Sequence, residues 1–523
     1  MPRTTDIIVA IVNRIEPLRL SAVKAAVRSF AEACPPRPFA HSMHADYITW
    51  TGLVERRFSG RHLPSAKGDD APAEPDVDAI AALFERSTFR PSHDTSLLFP
   101  LFAQWFVDGF LRTKWEPEGA RTFRENESNQ EIDLAQIYGS SEAQTRMLRD
   151  LGNGGRLKSR IVNGEEWPVL LFEERGADMH LRDEFAKTKD RPGLHTDNNL
   201  SRIFDSWADD ELKTAWATGL EFGSSTLGQS AMNALFLREH NRIAGVLQDS
   251  HPDWDDDRLF ETTRNICIVL LLNIVLGDYI PHIATRRLDL RVPPGWAEEQ
   301  QWYRTNRMTV EFALLYRWHD LIPDSFRVGD DEVSAQKLMR PNAWLEEAGL
   351  AAAFRGAAST RAGRIGLYNT AAFLNRRGGA DVKRLSVEMG RTVRLAPYNA
   401  YRKRYGLKPM RSFRELTRDR ETAAELERLY GHIDRLEWFV GLFAEHHEPP
   451  HMMGELLRTM VANDAFTQAL TNPLMSKCVF GPEAFTNEGL KIIGNTRTLA
   501  DLIVRNTKLT SKRQLALRHR SLV

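Results

Sequence analysis

ALFLREHNRIAGVLQDSHPDWDDDRLFETTRNI, residues 234–266, spans the junction of two long helical patterns, 209–249 and 256–285. Working outward from it, the 3.6-residue rhythm of apolar positions predicts further helices over 96–113, 131–151, 298–318, 341–355, 381–391, 412–430, 433–446 and 453–471. Strand-like alternation is scarce, and there is no internal repeat or low-complexity segment. The reading is a mainly α chain: a large helical domain over 51–523 with a small N-terminal appendage of amphipathic helices over 1–50, broken at Pro17. Residues 60–77, rich in Gly, Pro and Asp, read as an exposed linker.

Bulk numbers narrow the function. With 70 basic and 70 acidic residues the chain has no net field to attract nucleic acid, and no basic stripe interleaves with aromatics. Locally basic 508–520 reads as a solvated tail. Three cysteines, Cys34, Cys267 and Cys478, form no CxxC and no pairing framework, which points to a reducing compartment and a cytoplasmic setting. The apolar run Ile7–Val12 is too short for a secretory core or a membrane span. No GxSxG elbow, GxxxxGK[ST] loop or dinucleotide fingerprint occurs.

Three clusters could carry chemistry. Tyr316 and His319, in LLYRWHD, are three apart and on a helix would share one face. A neutral imidazole is a common ligand of haem iron, and a phenol one turn away could be oxidised to a radical able to take a bis-allylic hydrogen. A structural histidine beside core aromatics fits the same pair. Gln104 and Asp108, in FAQWFVDGF, are four apart on an otherwise apolar helix, either an ion-paired carboxylate or a polar pair over a cofactor. Finally, Arg238, Glu239, His240, Asn241 and Arg242 lack a second histidine at metal-binding spacing and read as a hydrogen-bonded structural knot.

Taken in order, FAQWFVDGFLRT (102–113), EIDLAQIYGSSE (131–142), the quoted 234–266 stretch, VEFALLYRWHDLIPDSF (310–326), PYNAYRKRYGLKPMRSFRELTRDRETAAELERLYGHIDRLEWF (397–439) and LKIIGNTRTLADLIVRN (490–506) resemble the cyclooxygenase and fatty-acid dioxygenase branch of the animal-type haem peroxidases. The likeness runs from about residue 40 to 506. It implies a haem peroxidase-like fold, haem b bound through His319, a radical on Tyr316, Tyr279 as that phenol's hydrogen-bonding partner, Trp318 against the substrate channel, and Gln104 as the distal glutamine. Arg28 falls on the arginine that holds the fatty acid's carboxylate. The N-terminal helices correspond to a monotopic membrane-binding motif, less apolar here. Peripheral membrane contact and a homodimer are both compatible with the resemblance.

The departures carry equal weight. The family's distal histidine falls on Asp108, which predicts weakened peroxide cleavage, since general acid–base help is worth roughly 10² to 10⁴ in rate. Arg286 stands where a channel-mouth tyrosine is found. Phe439 replaces a tyrosine near the proximal histidine. The serine that guides cyclisation falls in an ambiguous stretch around Asp464 to Thr467. Asn129 and Ala135 stand where hydroxyl-bearing ligands would surround Asp133, so no calcium is expected. The function implied is tyrosyl-radical dioxygenation of an unsaturated fatty acid by dioxygen. The alternatives are a peroxidase or hydroperoxide isomerase acting at the iron, and a non-catalytic haem or lipid carrier.

Overall fold

A computed structural model describes residue 9 and residues 12–33, 41–117, 119–284, 289–328, 331–374 and 381–519. Arg286 and Cys34 lie outside the described residues. The principal helices are α1 (Glu16–Ala31), α2 (Leu98–Asp108), α3 (Leu227–Ser250), α4 (Asp256–Ile274), α5 (Val310–Leu315), α6 (Val382–Thr392), α7 (Tyr398–Arg404), α8 (Trp438–Ala444), α9 (Glu455–Leu470) and α10 (Pro482–Asn495). Sheet among the described residues is confined to five antiparallel two-stranded pairs, such as Ser159–Val162 with Glu165–Pro168.

The central pair α3 and α4 starts on side-chain caps. Thr226 accepts from Gln229 N, and Asp255 accepts from Arg258 N at 2.7 Å. Asp256 and Asp257 in the first turn of α4 complement the helix dipole. Nearly every residue of α3 from Leu227 to Asn241 is buried, so this helix is a spine. Its first turn lies so close to α2 that a Cβ on Gly228 would sit 2.7 Å from Leu101 O. By length and composition 256–283 could cross a membrane, but 89% of its apolar window is buried inside the protein, as befits a core helix. The helix widens into a π turn at Val275–Tyr279 before Ile280–Ile283, which swings Tyr279 into the interior. N-terminal α1 buries Val23, Ala26, Val27 and Ala31 and meets α9, whose Asn463 Nδ2 donates to Phe30 O at 2.9 Å.

Three expectations are corrected. The run 298–318 is not one helix. Only Val310–Leu315 is α-helical, because the preceding segment is drawn out by distant partners: Arg307 donates to Phe58 O and Leu53 O, and Met308 N to Gln130 Oε1. Such long-range bonds outweigh a weak local preference. The 60–77 linker is not exposed throughout, since Arg61 and His62 are 4% and 1% exposed. The basic C-terminal run is not free in solvent either. Leu515 and Leu517 are buried, Ser96 N donates to Leu517 O, and Arg518 pairs with Asp94 at 3.3 Å.

Candidate active site

Of the eleven residues of α2, nine are buried and only Gln104 and Asp108 keep partial accessibility. Four apart, they share one face. The helix is held in that rotation from behind, by Trp105 Nε1 donating to Asn233 Oδ1 at 2.8 Å and Gln136 Nε2 donating to Trp105 O at 2.6 Å. Gln104 Oε1 accepts from Thr226 Oγ1 (3.3 Å) and Asp108 Oδ2 from Gln229 Nε2 (2.6 Å). Burial pushes the Asp108 carboxyl up to about 6, against the pull of Gln229, Arg112 and Arg317. That is the range in which a carboxyl can both give and take a proton near neutrality.

Facing this pair is the segment after α5. The chain leaves the helix at Tyr316 (φ −96°, ψ 20°), passes through Trp318 (φ −89°, ψ 42°), and re-enters a 3₁₀ turn at His319–Leu321. Tyr316 and His319 therefore do not share a helix face, as their spacing suggests; they flank a turn in the sparsely populated bridge region. Tyr316, Arg317 and His319 keep some accessible surface on a stretch otherwise buried, yet protein surrounds all three, so they border an internal space. Asp108 and Arg317 attract one another electrostatically, which puts α2 and the turn on the same space.

The residues fit a haem. His319 Nδ1 is buried and meets the Arg317 carbonyl short of regular hydrogen-bond geometry. Burial first, then the positive charges of Lys383 and Arg317, pushes the imidazole down to about 3, so it is neutral and its lone pair is free for iron. Gln104 and Asp108 would supply polar groups beside it.

Around Tyr316 the walls are aromatic. Its ring lies 4.7 Å from Trp318 and 5.2 Å from Phe312 between centroids. Phe99 stacks on Trp318 and on Tyr279 (6.0 and 5.1 Å), and Phe102 and Phe106 meet Tyr279 edge-on. The Tyr279 and Tyr316 hydroxyls interact, though short of regular hydrogen-bond geometry, and burial raises both phenols. Both remain protonated at any working pH, so oxidation of Tyr316 must release a proton. Arg28 sits apart on the exposed face of α1, its Nε donating to Gln300 Oε1 at 2.9 Å and its guanidinium 5.7 Å from the Trp296 ring centroid.

A polar cluster that sequence reasoning missed adjoins this wall. His62 Nε2 meets Asp464 Oδ2 at 3.0 Å, and both are almost fully buried. His62 N and Tyr401 OH both donate to Glu311 Oε1. The Asp464 charge contributes to the raised Tyr316 phenol. Composition hid it, because a Gly- and Pro-rich stretch advertises exposure. The 238–242 cluster behaves as read: His240 is bonded at both ring nitrogens, to Tyr138 OH and Gly155 O, leaving none for a metal.

A buried neutral imidazole, an opposing polar pair and a caged phenol in a helical fold define a haem oxidoreductase. Residues 107–517 match the animal haem peroxidase family, and the chain belongs to that family, in its cyclooxygenase and dioxygenase branch. It is 34% identical to prostaglandin G/H synthase 1 of Mus musculus over 488 residues, 91% of this chain and 75% of the synthase. Against prostaglandin G/H synthase 2 of Bos taurus it is 31% identical over 511 residues, 95% and 78% of the two chains. Among solved structures, fatty acid alpha-dioxygenase of Oryza sativa shares the fold with a TM-score of 0.71 at 16% identity, covering 97% of this chain and 95% of that one. Peroxidase A of Dictyostelium discoideum does so with 0.70 at 18%, covering 92% and 100%.

Proposed function

We propose that this enzyme is a haem-dependent dioxygenase that converts an unsaturated fatty acid to a hydroperoxide through a radical on Tyr316. The observation that carries the reading is the phenol itself, enclosed by Trp318, Phe312 and Tyr279 and three residues from a buried neutral imidazole. Haem bound through His319 would supply the one-electron oxidising equivalent. Thereafter the phenol does the work. The Tyr316 oxygen radical takes a hydrogen atom from a bis-allylic carbon and becomes a phenol again. Dioxygen adds to the carbon radical, and the resulting peroxyl radical takes the hydrogen back from Tyr316, giving the hydroperoxide and restoring the tyrosyl radical.

Aromatic stacking fixes the phenol's direction, which is what selects the reacting carbon. Tyr279 presents its hydroxyl to Tyr316 and limits rotation of the ring. Gln104 and Asp108 hold and move a proton on the peroxide side, Asp108 accepting it as the carboxylate above about pH 6. The substrate's carboxylate is assigned to Arg28 at the outer surface, a charge-assisted pairing.

The test pairs two substitutions on the haem-reconstituted enzyme. His319→Ala should remove the Soret band. Tyr316→Phe should keep it and abolish dioxygen uptake with an unsaturated fatty acid. If Tyr316→Phe retains uptake, the radical reading fails. If the unmodified enzyme shows no uptake while lipid hydroperoxide turnover persists in it and in Tyr316→Phe, the enzyme is a peroxidase or hydroperoxide isomerase, a reading for which Gln104 and Asp108 would supply the proton-handling pair.

A further inference from the structure

Two residues before His319 stands a cation with no close partner among the described residues. Arg317 lies on the internal space that Asp108 and His319 border, with protein on every side. Its Nε is sealed off without a hydrogen-bond partner, and among the described residues the guanidinium makes no hydrogen bond, ion pair or ring contact. The neighbouring cations, by contrast, are paired. Arg112, whose charge also reaches Asp108, meets Glu221 at 3.0 Å. Lys383, whose charge also reaches His319, sits 2.9 Å from Asp320 Oδ2, and neither side chain has any exposed surface. Asp108 attracts Arg317 only from outside ion-pair range, and its Oδ2 accepts from Gln229 instead.

The backbone fixes where that charge stands. Arg317 O accepts from Lys383 Nζ at 2.8 Å, and Lys383 is locked onto Asp320, whose Oδ1 accepts from Thr370 Oγ1 at 2.5 Å. The turn from Arg317 to Asp320 is thereby held from behind. Trp318 packs against Phe99 and Tyr316, while Arg317 and His319 on either side of it keep accessible surface. A guanidinium cannot shed its proton to escape burial, so leaving one unpaired inside a protein is strongly destabilising. An anion belongs in the space. The group that suits a guanidinium is a carboxylate, whose two oxygens match two parallel N–H donors. With Nε closed, the two terminal nitrogens are left to offer them.

Haem carries two propionate carboxylates on the macrocycle whose iron His319 would hold. Resting on His319 as the iron ligand, we propose that Arg317 is a cofactor-binding residue whose terminal nitrogens take one haem propionate inside the protein. The imidazole and the cation, two residues apart on one braced turn, then hold the cofactor at two points. The carboxylate in return gives the buried guanidinium its counter-charge.

The test compares haem with haem dimethyl ester, in which both propionates are esterified and uncharged, by Soret titration of the haem-free protein in one detergent. The unmodified protein should bind haem about tenfold or more tighter than the ester, the scale of a charge-assisted pair. Arg317→Met should lower haem affinity by that factor and leave the ester's affinity unchanged, so that the preference disappears. Arg317→Lys should restore part of it. If Arg317→Met keeps the preference, the proposal is overturned, and a raised KM for the fatty acid in that variant would assign the guanidinium to the substrate's carboxylate. If it weakens both ligands equally while keeping its helical circular dichroism, Arg317 is a structural residue and the proposal is likewise overturned. Should the variant not fold, the unmodified protein still decides. Equal affinities refute the proposal, and a preference that persists at high salt supports it, since a buried pair is little screened. His319→Ala separates the two claims. A Soret band that survives there means that the ligand assignment has failed; a band lost there, with the preference intact in Arg317→Met, means that only the role of Arg317 has failed.

Discussion

Asp108→Asn isolates the energy stored in the distal carboxyl. Asparagine has the shape of the neutral acid and cannot ionise, so the comparison measures what the negative charge does to the fold. Burial lifts the Asp108 carboxyl from 3.8 to about 6, a figure that already contains the attraction of Arg112 and Arg317. A carboxyl raised in this way binds its proton more tightly folded than unfolded. Its stability contribution is therefore complete below about pH 4, falls as pH rises to about 6, and is flat above. About two pH units at 1.36 kcal/mol each give about 3 kcal/mol. Urea unfolding of the haem-free protein and its Asp108→Asn variant between pH 4 and 8 should show no difference at the acid end and a variant more stable by about 3 kcal/mol above pH 6. Other titrating groups cancel in the difference. A variant less stable at pH 8, or a pH-independent difference, would mean that Asp108 is a satisfied structural anion for Arg317 and not a strained functional acid.

Asp108→His should raise hydrogen-peroxide turnover with a small phenolic reductant by roughly 10² to 10⁴, the usual worth of a positioned general acid–base; no gain in steady-state turnover would argue that the carboxyl already does this work. Asp464→Leu leaves the His62 ring buried without its 3.0 Å partner and should destabilise by about 1–3 kcal/mol. Adding His62→Leu should then cost less than the sum of the two single changes in equilibrium denaturation, as expected for groups in direct contact.

How much of this was legible beforehand depended on range. Gln104 and Asp108 could be placed together because one helix sets both directions, and a four-residue spacing is local information. The relation of Tyr316 to His319 was not legible as geometry. Their spacing describes a helix, whereas the turn is imposed by Lys383 on Arg317 O and by Asn369 on Asp320 O, across 66 and 49 residues. Lys383 itself carried a faint signal. It occupies the buried phase of α6 with Ser386 and Val387, where a lysine asks for a partner, and Asp320, directly after His319 and 2.9 Å from the ammonium, is the matching oddity. The pairing of His62 with Asp464 spans 402 residues from a segment whose composition argues for solvent. Nothing within either segment could have named the other.

The peroxide side of the proposed haem site leans in one direction. Cleaving a peroxide heterolytically calls for a base beside it. On the proposed reading that base is a carboxyl near 6 instead of an imidazole, which would slow the step. It does not touch the aromatic cage of Tyr316, built from Trp318, Phe312, Phe99 and Tyr279. In the proposed oxygenation cycle the peroxyl radical takes the hydrogen back from Tyr316 and so regenerates the tyrosyl radical, and a single oxidation of Tyr316 serves many turnovers. Slow activation is therefore compatible with sustained oxygenation, and it would be fatal only to an enzyme that must cleave a peroxide every cycle. Weak peroxide chemistry beside an intact phenol cage is the combination expected of a dioxygenase and not of a peroxidase.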